Sequence, residues 1–258
     1  MRLAVTQLGI RAMQNRDKWK PSKFVYKSGH LAASSDPAEV GVGSRLVADT
    51  IAKFYDRNLK LHARGKLLDL GCGKVPLYAA YREFVTENTC VDWGNTLHKN
   101  PYLDRELDLT KHLPFDDGVF DTIILSDVLE HIPVPEYLWQ EMARILSRNG
   151  KLIMNVPFFY WLHEVPHDYY RYTEFALRRF VDVSGMRLVE LVPMGGAPEI
   201  MVDIFAKNAM RLPRMGRALA STAQWCASSF LRTRIGKKIS RGTSASFPLG
   251  YFLIAEKM

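Results

Sequence analysis

The sequence predicts an α/β protein with a doubly wound, mostly parallel sheet of seven strands and a helical insertion before the last strand. Two observations predict this fold. From about residue 63 to residue 193, short apolar segments alternate with segments of helical periodicity. The first apolar segment then runs into Lys66-Leu67-Leu68-Asp69-Leu70-Gly71-Cys72-Gly73, the pattern of a buried strand that turns tightly into a helix.

The predicted elements follow in order along the chain. Helices are expected near residues 39–62, 76–84, 136–147 and 173–184, and strands near 66–70, 88–92, 103–108, 120–125, 151–156, 187–192 and 246–255. Asp36 is expected to cap the first helix, with Pro37 in its first turn, and Thr173 to cap the last. Asn149-Gly150 predicts a turn before the fifth strand, and Gly185 a helix end.

Four parts are expected in the 258-residue chain. Residues 1–62 are an N-terminal lead and helix that serve as a lid or cap, and residues 63–193 form the core. Residues 194–245 are a basic insertion, expected to hold two helices, and residues 246–258 supply the final strand of the core. This length suits one substantial domain with added elements.

The turn Gly71-Cys72-Gly73 is typical of two ligand classes, dinucleotides and S-adenosylmethionine, because glycines let the backbone approach a ligand closely. A dinucleotide site would carry a third glycine where this chain has Pro76. Asp92 ends the second strand about 20 residues later, where a carboxylate can accept hydrogen bonds from ribose hydroxyls. On the glycines alone, a turn without a ligand remains the alternative.

Five segments together resemble class I S-adenosylmethionine-dependent methyltransferases of the small-molecule and glycan type. They cover about residues 63–193 and read Leu-Asp-Leu-Gly-Cys-Gly from Leu68, Val-Asp-Trp from Val91, Leu-Pro-Phe-Asp-Asp-Gly-Val-Phe-Asp from Leu113, Leu-Ser-Asp-Val-Leu-Glu-His-Ile from Leu125, and Ile-Leu-Ser-Arg-Asn-Gly-Lys-Leu-Ile-Met-Asn-Val-Pro from Ile145. The resemblance implies a Rossmann-like methyltransferase fold and S-adenosylmethionine as the cofactor. It also implies that Asp69, Gly71, Cys72 and Gly73 line the methionine end, that Asp92 binds the ribose, that Trp93, Asp108 and Leu109 flank the adenine, and that Ser126 lies under the sulfonium.

Residues 156–173 follow the fifth strand and combine histidines, carboxylates, an arginine and many aromatic residues. A long loop of this kind, at the end of a sheet where ligands bind, predicts a lid over the methyl acceptor. His167 is the favoured general base, with His163 and His131 as the other candidates, since histidine titrates near neutrality. Structural roles are the alternative: covering the sheet edge, pairing Asp168 with Arg171, or binding a carbonyl through His131. The expected substrate-binding residues are Tyr160, Asp168, Tyr169, Tyr170 and Arg171.

No metal is expected. His163, His167 and Asp168 are the candidate ligands, but Pro166 interrupts the spacing that would place the two histidines on one helical face.

The formal net charge of +8 is concentrated in one segment. Residues 207–241 contain nine basic residues and no acidic residue, interleaved with apolar side chains. Three interpretations stay open: a solvated helical face, a surface for anionic lipid or a lipid-linked phosphorylated acceptor, and nucleic-acid binding, which is the least favoured. The oligomeric state is not predicted.

Cys72, Cys90 and Cys226 are too few and too scattered for a disulfide framework, which predicts a cytosolic protein. The N-terminal segment lacks the features of a cleaved signal peptide. Docking at the inner face of the membrane would be peripheral.

The function expected from the sequence is O-methylation of a hydroxyl on a sugar or small metabolite, including a lipid-linked acceptor in cell-envelope glycan biosynthesis. The alternatives are methylation of RNA or protein, and a protein that binds S-adenosylmethionine without catalysis.

Overall fold

The structure is a computed structural model that describes residues 13–94 and 100–258, and two sheets lie within them. A hairpin of β1 (Phe24–Lys27) and β2 (His30–Ala33) forms the small sheet. The large sheet has seven strands: β3 (Gly65–Leu70), β4 (Val85–Asp92), β5 (Arg105–Glu106), β6 (Phe120–Ser126), β7 (Leu146–Pro157), β8 (Met186–Met194) and β9 (Gly250–Lys257).

The large sheet has the strand order β5-β4-β3-β6-β7-β9-β8. β9 runs antiparallel to both β7 and β8, and the remaining pairs are parallel. The predicted doubly wound, mostly parallel sheet of seven strands is therefore confirmed. The chain order of β3, β4 and β6 brings the ends of β3 and β6 side by side, which is where such sheets bind ligands.

Helices cover both faces of the sheet. They are α1 (Arg45–His62), α2 (Tyr78–Tyr81), α3 (Pro135–Ile145), α4 (Glu174–Val183), α5 (Ala197–Ala209), α6 (Gly216–Arg232) and α7 (Arg234–Thr243). Successive strand residues point to opposite faces, so Leu67 packs in the core that contains Tyr55 of α1. Leu68 packs in the opposite core with Trp139 of α3 and Leu177 of α4.

The start of α1 differs from the prediction. The helix begins at Arg45, after a short 3₁₀ turn over Val42–Ser44. Asp36 does not cap it, because Asp36 Oδ1 accepts a hydrogen bond from Ala38 N at 2.9 Å and closes a separate turn. The β1–β2 hairpin in front of α1 was not predicted. It is anchored to α1 by the Asp49 carboxylate, which accepts a hydrogen bond from Ala33 N at 2.7 Å.

Three further elements differ in extent. The helix predicted over 76–84 is only Tyr78–Tyr81, and the strand predicted over 103–108 is only Arg105–Glu106. Asn149 and Gly150 lie inside β7, where the pairing with β6 shifts register and Asn149 has φ +62°, so the expected turn is a strand irregularity. By contrast, Thr173 caps α4, and Gly185 follows it with φ +67°, as predicted.

The insertion holds three helices where two were predicted. Thr233 separates α6 from α7, because its Oγ1 accepts a hydrogen bond from Gly236 N at 3.0 Å and starts a new helix. Buried Gln224 of α6 fixes the insertion to the start of α1. Its Oε1 accepts from Leu46 N at 2.9 Å, and its Nε2 donates to Gly43 O at 2.7 Å.

In the described part of the chain, every helix is too short or too polar to cross a bilayer. The predicted absence of a signal peptide concerns mainly residues 1–12, which lie outside the described residues.

Candidate functional site

A cavity of about 460 Å³ opens at the carboxyl ends of β3, β6 and β7. The turn after β3 (residues 69–77), the loop after β6 (126–131) and the loop after β7 (157–164) line it, and the start of α1 and residues 38–41 close another side. Parallel strands that end together place these three loops around one space.

The glycine turn after β3 presents its backbone to the cavity. Gly71 has φ +68°, and a Cβ atom there would lie 2.4 Å from Val128 Cγ2, so only glycine fits the approach of the two loops. Gly73 has φ +48°, and a Cβ atom there would meet nothing within 4 Å. The open space beside Gly73 leaves room for a ligand against the backbone.

Asp92 supports this turn from the end of β4. Its Oδ2 accepts a hydrogen bond from Gly73 N at 2.8 Å, and its Oδ1 accepts one from Trp93 N at 2.7 Å. Burial raises the pKa of the Asp92 carboxyl, and the two backbone donors oppose that rise. Asp92 therefore fixes the conformation of the glycine turn, while its predicted contact with a ribose stays a prediction.

The residues expected at the adenine lie beside the cavity and do not line it. Trp93 is 42% exposed, and its ring meets the His167 ring edge-on with 5.1 Å between centroids. Asp108 Oδ1 accepts hydrogen bonds from Thr110 N and Oγ1 at 2.9 and 2.7 Å, and Leu109 is buried. Both follow β5, the neighbour of β4. Their contact with an adenine stays a prediction.

Asp69 and Cys72 line the cavity and are both buried. Burial raises the pKa of the Asp69 carboxyl to about 7, although the Tyr81 hydroxyl donates to its Oδ2 at 3.4 Å. A cationic ligand in the cavity would favour the ionised carboxylate. Interaction with Cys90 and burial raise the pKa of the Cys72 thiol, so Cys72 has no reactive thiolate character.

Asn155 of β7 organises the polar floor of the cavity. Its Oδ1 accepts hydrogen bonds from Tyr55 OH at 2.8 Å and Ser126 Oγ at 2.9 Å, and its Nδ2 donates to Asp127 Oδ1 at 2.5 Å. Asp127 has φ +53° and also binds Lys23 Nζ at 2.8 Å through Oδ2. Ser126 lines the cavity, while its place under a sulfonium stays a prediction.

Glu130, His131 and His163 form a second polar group at the other side of the cavity. Nε2 of His131 and Nε2 of His163 lie 3.7 and 3.8 Å from the same oxygen, Glu130 Oε1. Glu130 is 0% exposed, and neither of its carboxylate oxygens has a hydrogen-bond partner. Burial and the nearby Asp127 carboxylate hold the pKa of the Glu130 carboxyl well above its usual range. Burial and the neighbouring His131 lower the pKa of His163.

The lid residues have structural contacts that the sequence did not reveal. Asp168 accepts hydrogen bonds from Arg171 Nη1 and Nη2 at 2.5 and 2.7 Å, and Arg171 Nη2 also donates to Trp161 O at 3.1 Å. The Arg171 guanidinium holds the pKa of the Asp168 carboxyl well below its usual range. Tyr169 N donates to Glu130 O at 2.9 Å, and Tyr170 OH donates to Pro133 O at 2.9 Å.

Of the predicted catalytic and substrate residues, only His131, His163 and Tyr160 line the cavity. His167, the favoured base, is exposed and faces Trp93 and Tyr169. His131 and His163 are therefore the better-placed candidates for the base. Asp168, Tyr169, Tyr170 and Arg171 do not line it, because their polar groups hold the lid together. Several polar and charged residues that line the cavity were not among the predicted site residues: Ser22, Lys23, Glu39, Ser44, Lys74, Asp127, Glu130 and Glu164.

The core of the chain is similar to known proteins. Residues 68–154 match the family described as a methyltransferase domain. An uncharacterized protein of Methanocaldococcus jannaschii is 35% identical over 154 residues, which cover 54% of this chain. The matched region spans 58% of that protein's length.

Solved structures share the fold at low sequence identity. The [4+2]-cyclase SpnF superposes with a TM-score of 0.57 and 14% identity, over 92% of this chain and 87% of that one. Geranyl diphosphate C-methyltransferase of Streptomyces coelicolor, in complex with Mg²⁺, geranyl diphosphate and S-adenosylhomocysteine, superposes with a TM-score of 0.50 and 13% identity, over 87% of this chain and 85% of that one. These likenesses confirm the Rossmann-like methyltransferase fold. A cyclase among them shows that the fold does not by itself fix the reaction.

Proposed function

We propose that the protein uses S-adenosylmethionine to methylate a hydroxyl group of a sugar or small metabolite, and that a lipid-linked acceptor is preferred. The match of residues 68–154 to a methyltransferase domain supports the reaction type. One observation carries the proposal. A single cavity joins the glycine turn at Gly71 and Gly73 to the polar group of Glu130, His131 and His163. Methyl transfer to oxygen needs these two features close together, one to hold the methyl donor and one to activate the acceptor.

The residues around the glycine turn fit the cofactor. Space is open beside Gly73, Asp92 fixes the turn, and the buried carboxyl of Asp69 faces the cavity. When bound, S-adenosylmethionine supplies an electrophilic methyl group and leaves as S-adenosylhomocysteine, with the electron pair of the broken carbon–sulfur bond on sulfur. Asp69, Gly71, Cys72, Gly73 and Ser126 would hold its methionine portion, since all five line the cavity.

The histidines supply the proton acceptor. His131 Nδ1 lies 2.8 Å from the carbonyl oxygen of His167, which can only accept, so Nδ1 carries the hydrogen and neutral His131 keeps its free lone pair on Nε2. That Nε2 is directed into the group with Glu130 and His163. The acceptor hydroxyl would give its proton to Nε2 of His131 or His163 while its oxygen forms the new bond to the methyl carbon.

A second cavity supports a lipid-linked acceptor. It has a volume of about 320 Å³, shares Tyr160 with the first, and includes Trp161, Ile204 and Arg211. The neighbouring insertion exposes many large apolar side chains among its basic residues: Met201, Ile204, Phe205, Met210, Leu212, Met215, Leu219, Trp225, Phe230, Ile235 and Ile239. Apolar and basic side chains on exposed helices suit an anionic membrane surface.

One of the nine basic residues does not belong to that surface. Lys207 is 8% exposed, and its Nζ lies 2.6 Å from Asp203 Oδ2 and 3.5 Å from the centre of the Tyr160 ring. Lys207 therefore fixes the wall between the two cavities, and the remaining basic residues carry the proposed docking.

Release of S-adenosylhomocysteine tests the proposed function. The protein would be incubated with S-adenosylmethionine and, separately, with isoprenoid-diphosphate-linked glycans, free glycans and RNA. The proposal expects product with hydroxylated glycans and faster turnover with the lipid-linked ones. Product with RNA and with no glycan would contradict it.

A further inference from the structure

Three side chains with metal-ligand atoms meet at the acceptor side of the main cavity. The carboxylate of Glu130 and one nitrogen each from His131 and His163 lie within 4.8 Å of one another. Nε2 of both histidines is directed at Glu130 Oε1, at 3.7 and 3.8 Å. These separations are too long for hydrogen bonds. Ligand atoms around one tetrahedral zinc ion lie about 3.4 Å apart. The two histidine–carboxylate distances would have to shorten by about 0.3 to 0.4 Å, and the histidine–histidine distance, which is within 4.8 Å, by at most about 1.4 Å.

The Glu130 carboxylate is an independent sign of a missing partner. The residue is 0% exposed, and both of its oxygens are buried without a hydrogen bond. A buried carboxylate without a partner is costly, and a bound cation would remove that cost. The nearest cationic side chains do not serve it, because Lys23 is paired with Asp127 and Arg171 with Asp168.

The groups behind the two histidines are those that support metal ligands. His131 Nδ1 donates to His167 O at 2.8 Å, which leaves its Nε2 free to coordinate. His163 Nδ1 lies 3.3 Å from Asp168 Oδ2 without forming a hydrogen bond to it, and Arg171 holds Asp168 in place. Metal-binding histidines usually donate from their second nitrogen to a carbonyl or a carboxylate, as His131 does, and His163 has a carboxylate within reach for this role.

From this geometry we propose that Glu130, His131 and His163 bind a divalent transition-metal ion at the acceptor side of the cavity. Two imidazole nitrogens and one carboxylate favour Zn²⁺ or Co²⁺ over Mg²⁺ and Ca²⁺, which prefer oxygen ligands. Three protein ligands leave a position open towards the cavity. Glu164 also lines the cavity, and its Oε2 lies 4.0 Å from His131 Nε2.

The ion would change how the acceptor is activated. A hydroxyl bound at the open position is a stronger acid, because the cation stabilises the alkoxide, so the proton leaves more easily. The two histidines would then hold the metal, and proton acceptance would pass to another cavity group such as Glu164. This consequence rests on the proposed methyl transfer, whereas the metal site itself does not. The proposed metal site replaces the expectation that no metal binds, for which His163, His167 and Asp168 were the candidate ligands.

Titration of the metal-free protein with Co²⁺ tests the site, and visible absorption reports its coordination. The full chain without an affinity tag would be dialysed against a chelator first, and Zn²⁺ would then compete for the bound Co²⁺. Glu130→Gln and His163→Ala are the test variants. His112→Ala is the control, because His112 is 66% exposed and pairs with Glu141 outside the cavity.

We expect one Co²⁺ per chain in the wild type and in His112→Ala, and binding at least about tenfold weaker in both test variants. Co²⁺ should also raise the melting temperature of the wild type but not of Glu130→Gln, a readout that separates lost binding from lost folding. Absence of Co²⁺ binding in the wild type, or equal binding by folded Glu130→Gln, would overturn the proposal. If the metal-free protein binds S-adenosylmethionine, failure of the metal site would leave the proposed function standing.

Discussion

Lys23 Nζ lies 2.8 Å from Asp127 Oδ2, and this ion pair joins the N-terminal hairpin to the loop after β6. Burial alone would lower the pKa of Lys23, but the Asp127 carboxylate more than compensates and raises it. Asp127 itself has φ +53°, an unusual conformation for a residue other than glycine. Lys23 and Asn155 hold it from two sides, so the hairpin helps to fix the conformation of the cavity.

Replacement of Lys23 should therefore affect Asp127. In Lys23→Met, the Asp127 carboxylate loses its cationic partner, and we expect the free energy of unfolding to fall by about 1 kcal/mol, as for a partly exposed ion pair. Urea unfolding would measure the change, with Asp127→Asn and the double variant completing a cycle. Additive losses would show that the two side chains are not coupled.

The glycine turn offers a matched pair of substitutions. Gly71→Ala adds a Cβ atom 2.4 Å from Val128 Cγ2 at φ +68°, so both overlap and backbone strain oppose it. Gly73→Ala meets only the strain of φ +48°, which costs about 1–2 kcal/mol. Thermal unfolding should show a clearly larger loss of stability for Gly71→Ala. Equal losses would show that the Val128 contact is not tight.

Gly73→Ala should mainly weaken the binding of S-adenosylmethionine. Its methyl group would occupy the open space that the cofactor is proposed to use, so S-adenosylmethionine should bind at least about tenfold more weakly. Calorimetry on the folded variant checks this. Unchanged affinity would place the cofactor elsewhere in the cavity.

The raised pKa of Asp69 predicts how cofactor binding depends on pH. Its pKa in the free protein is about 7, above the value of about 4 for an exposed aspartate. A cationic ligand favours the ionised form, so binding below pH 7 should release a proton, and affinity should rise with pH and level off above about 7. Calorimetry in buffers of different ionisation enthalpy measures the released proton. Asp69→Asn should remove both effects.

The stability of the free protein should also depend on pH through Asp69. A carboxyl whose pKa is raised by folding binds its proton more tightly in the folded state, so stability is lost as pH rises from about 4 to about 7. Asp69→Asn should not show this component of the loss. A wild type and variant with parallel stability profiles over this range would contradict the raised pKa.

Membrane docking predicts a role for exposed Trp225 of α6. Trp225 is 70% exposed within the basic insertion, whereas Phe175 of α4 is 74% exposed outside it. Trp225→Ala should weaken sedimentation with phosphatidylglycerol-containing vesicles about tenfold, and Phe175→Ala should leave it unchanged. High salt should also weaken binding, because the basic residues contribute through charge. A wild type that does not bind such vesicles would contradict this surface.

The sheet was predictable because local signals and fold agree along it. Leu67 and Leu68 alternate between the two cores within an apolar strand, and the glycines after β3 mark the turn where it ends. The β1–β2 hairpin was not predicted, although its strands pair locally and Ser28 and Gly29 form the turn between them with φ +51° and +80°. The contacts that anchor the hairpin to the rest of the protein are the part that the sequence does not show. The residues near Lys23 do not indicate that it pairs with Asp127, 104 residues away. Likewise, the residues near Ala33 do not indicate its hydrogen bond to the Asp49 carboxylate.

The candidate site was predictable as a region but not residue by residue. His163 and His131 were identified from loop position, yet the same reasoning favoured His167, whose side chain lies outside the cavity. The reason is geometric, because the Asp168–Arg171 pair and the backbone contacts of Tyr169 decide which lid residues turn inward. Glu130 belongs to the segment from Leu125 that resembles the family, but only the structure shows that its carboxylate is buried and has no hydrogen-bond partner.

Titration of the protein with S-adenosylmethionine by calorimetry tests the central claim most directly. Asp92→Ala is the test variant, because Asp92 fixes Gly73, and Glu87→Ala on the same strand is the control. The account predicts one-site binding by the wild type and Glu87→Ala, and binding at least about tenfold weaker in folded Asp92→Ala. Full affinity in Asp92→Ala, or no binding by the wild type even with an acceptor present, would contradict it.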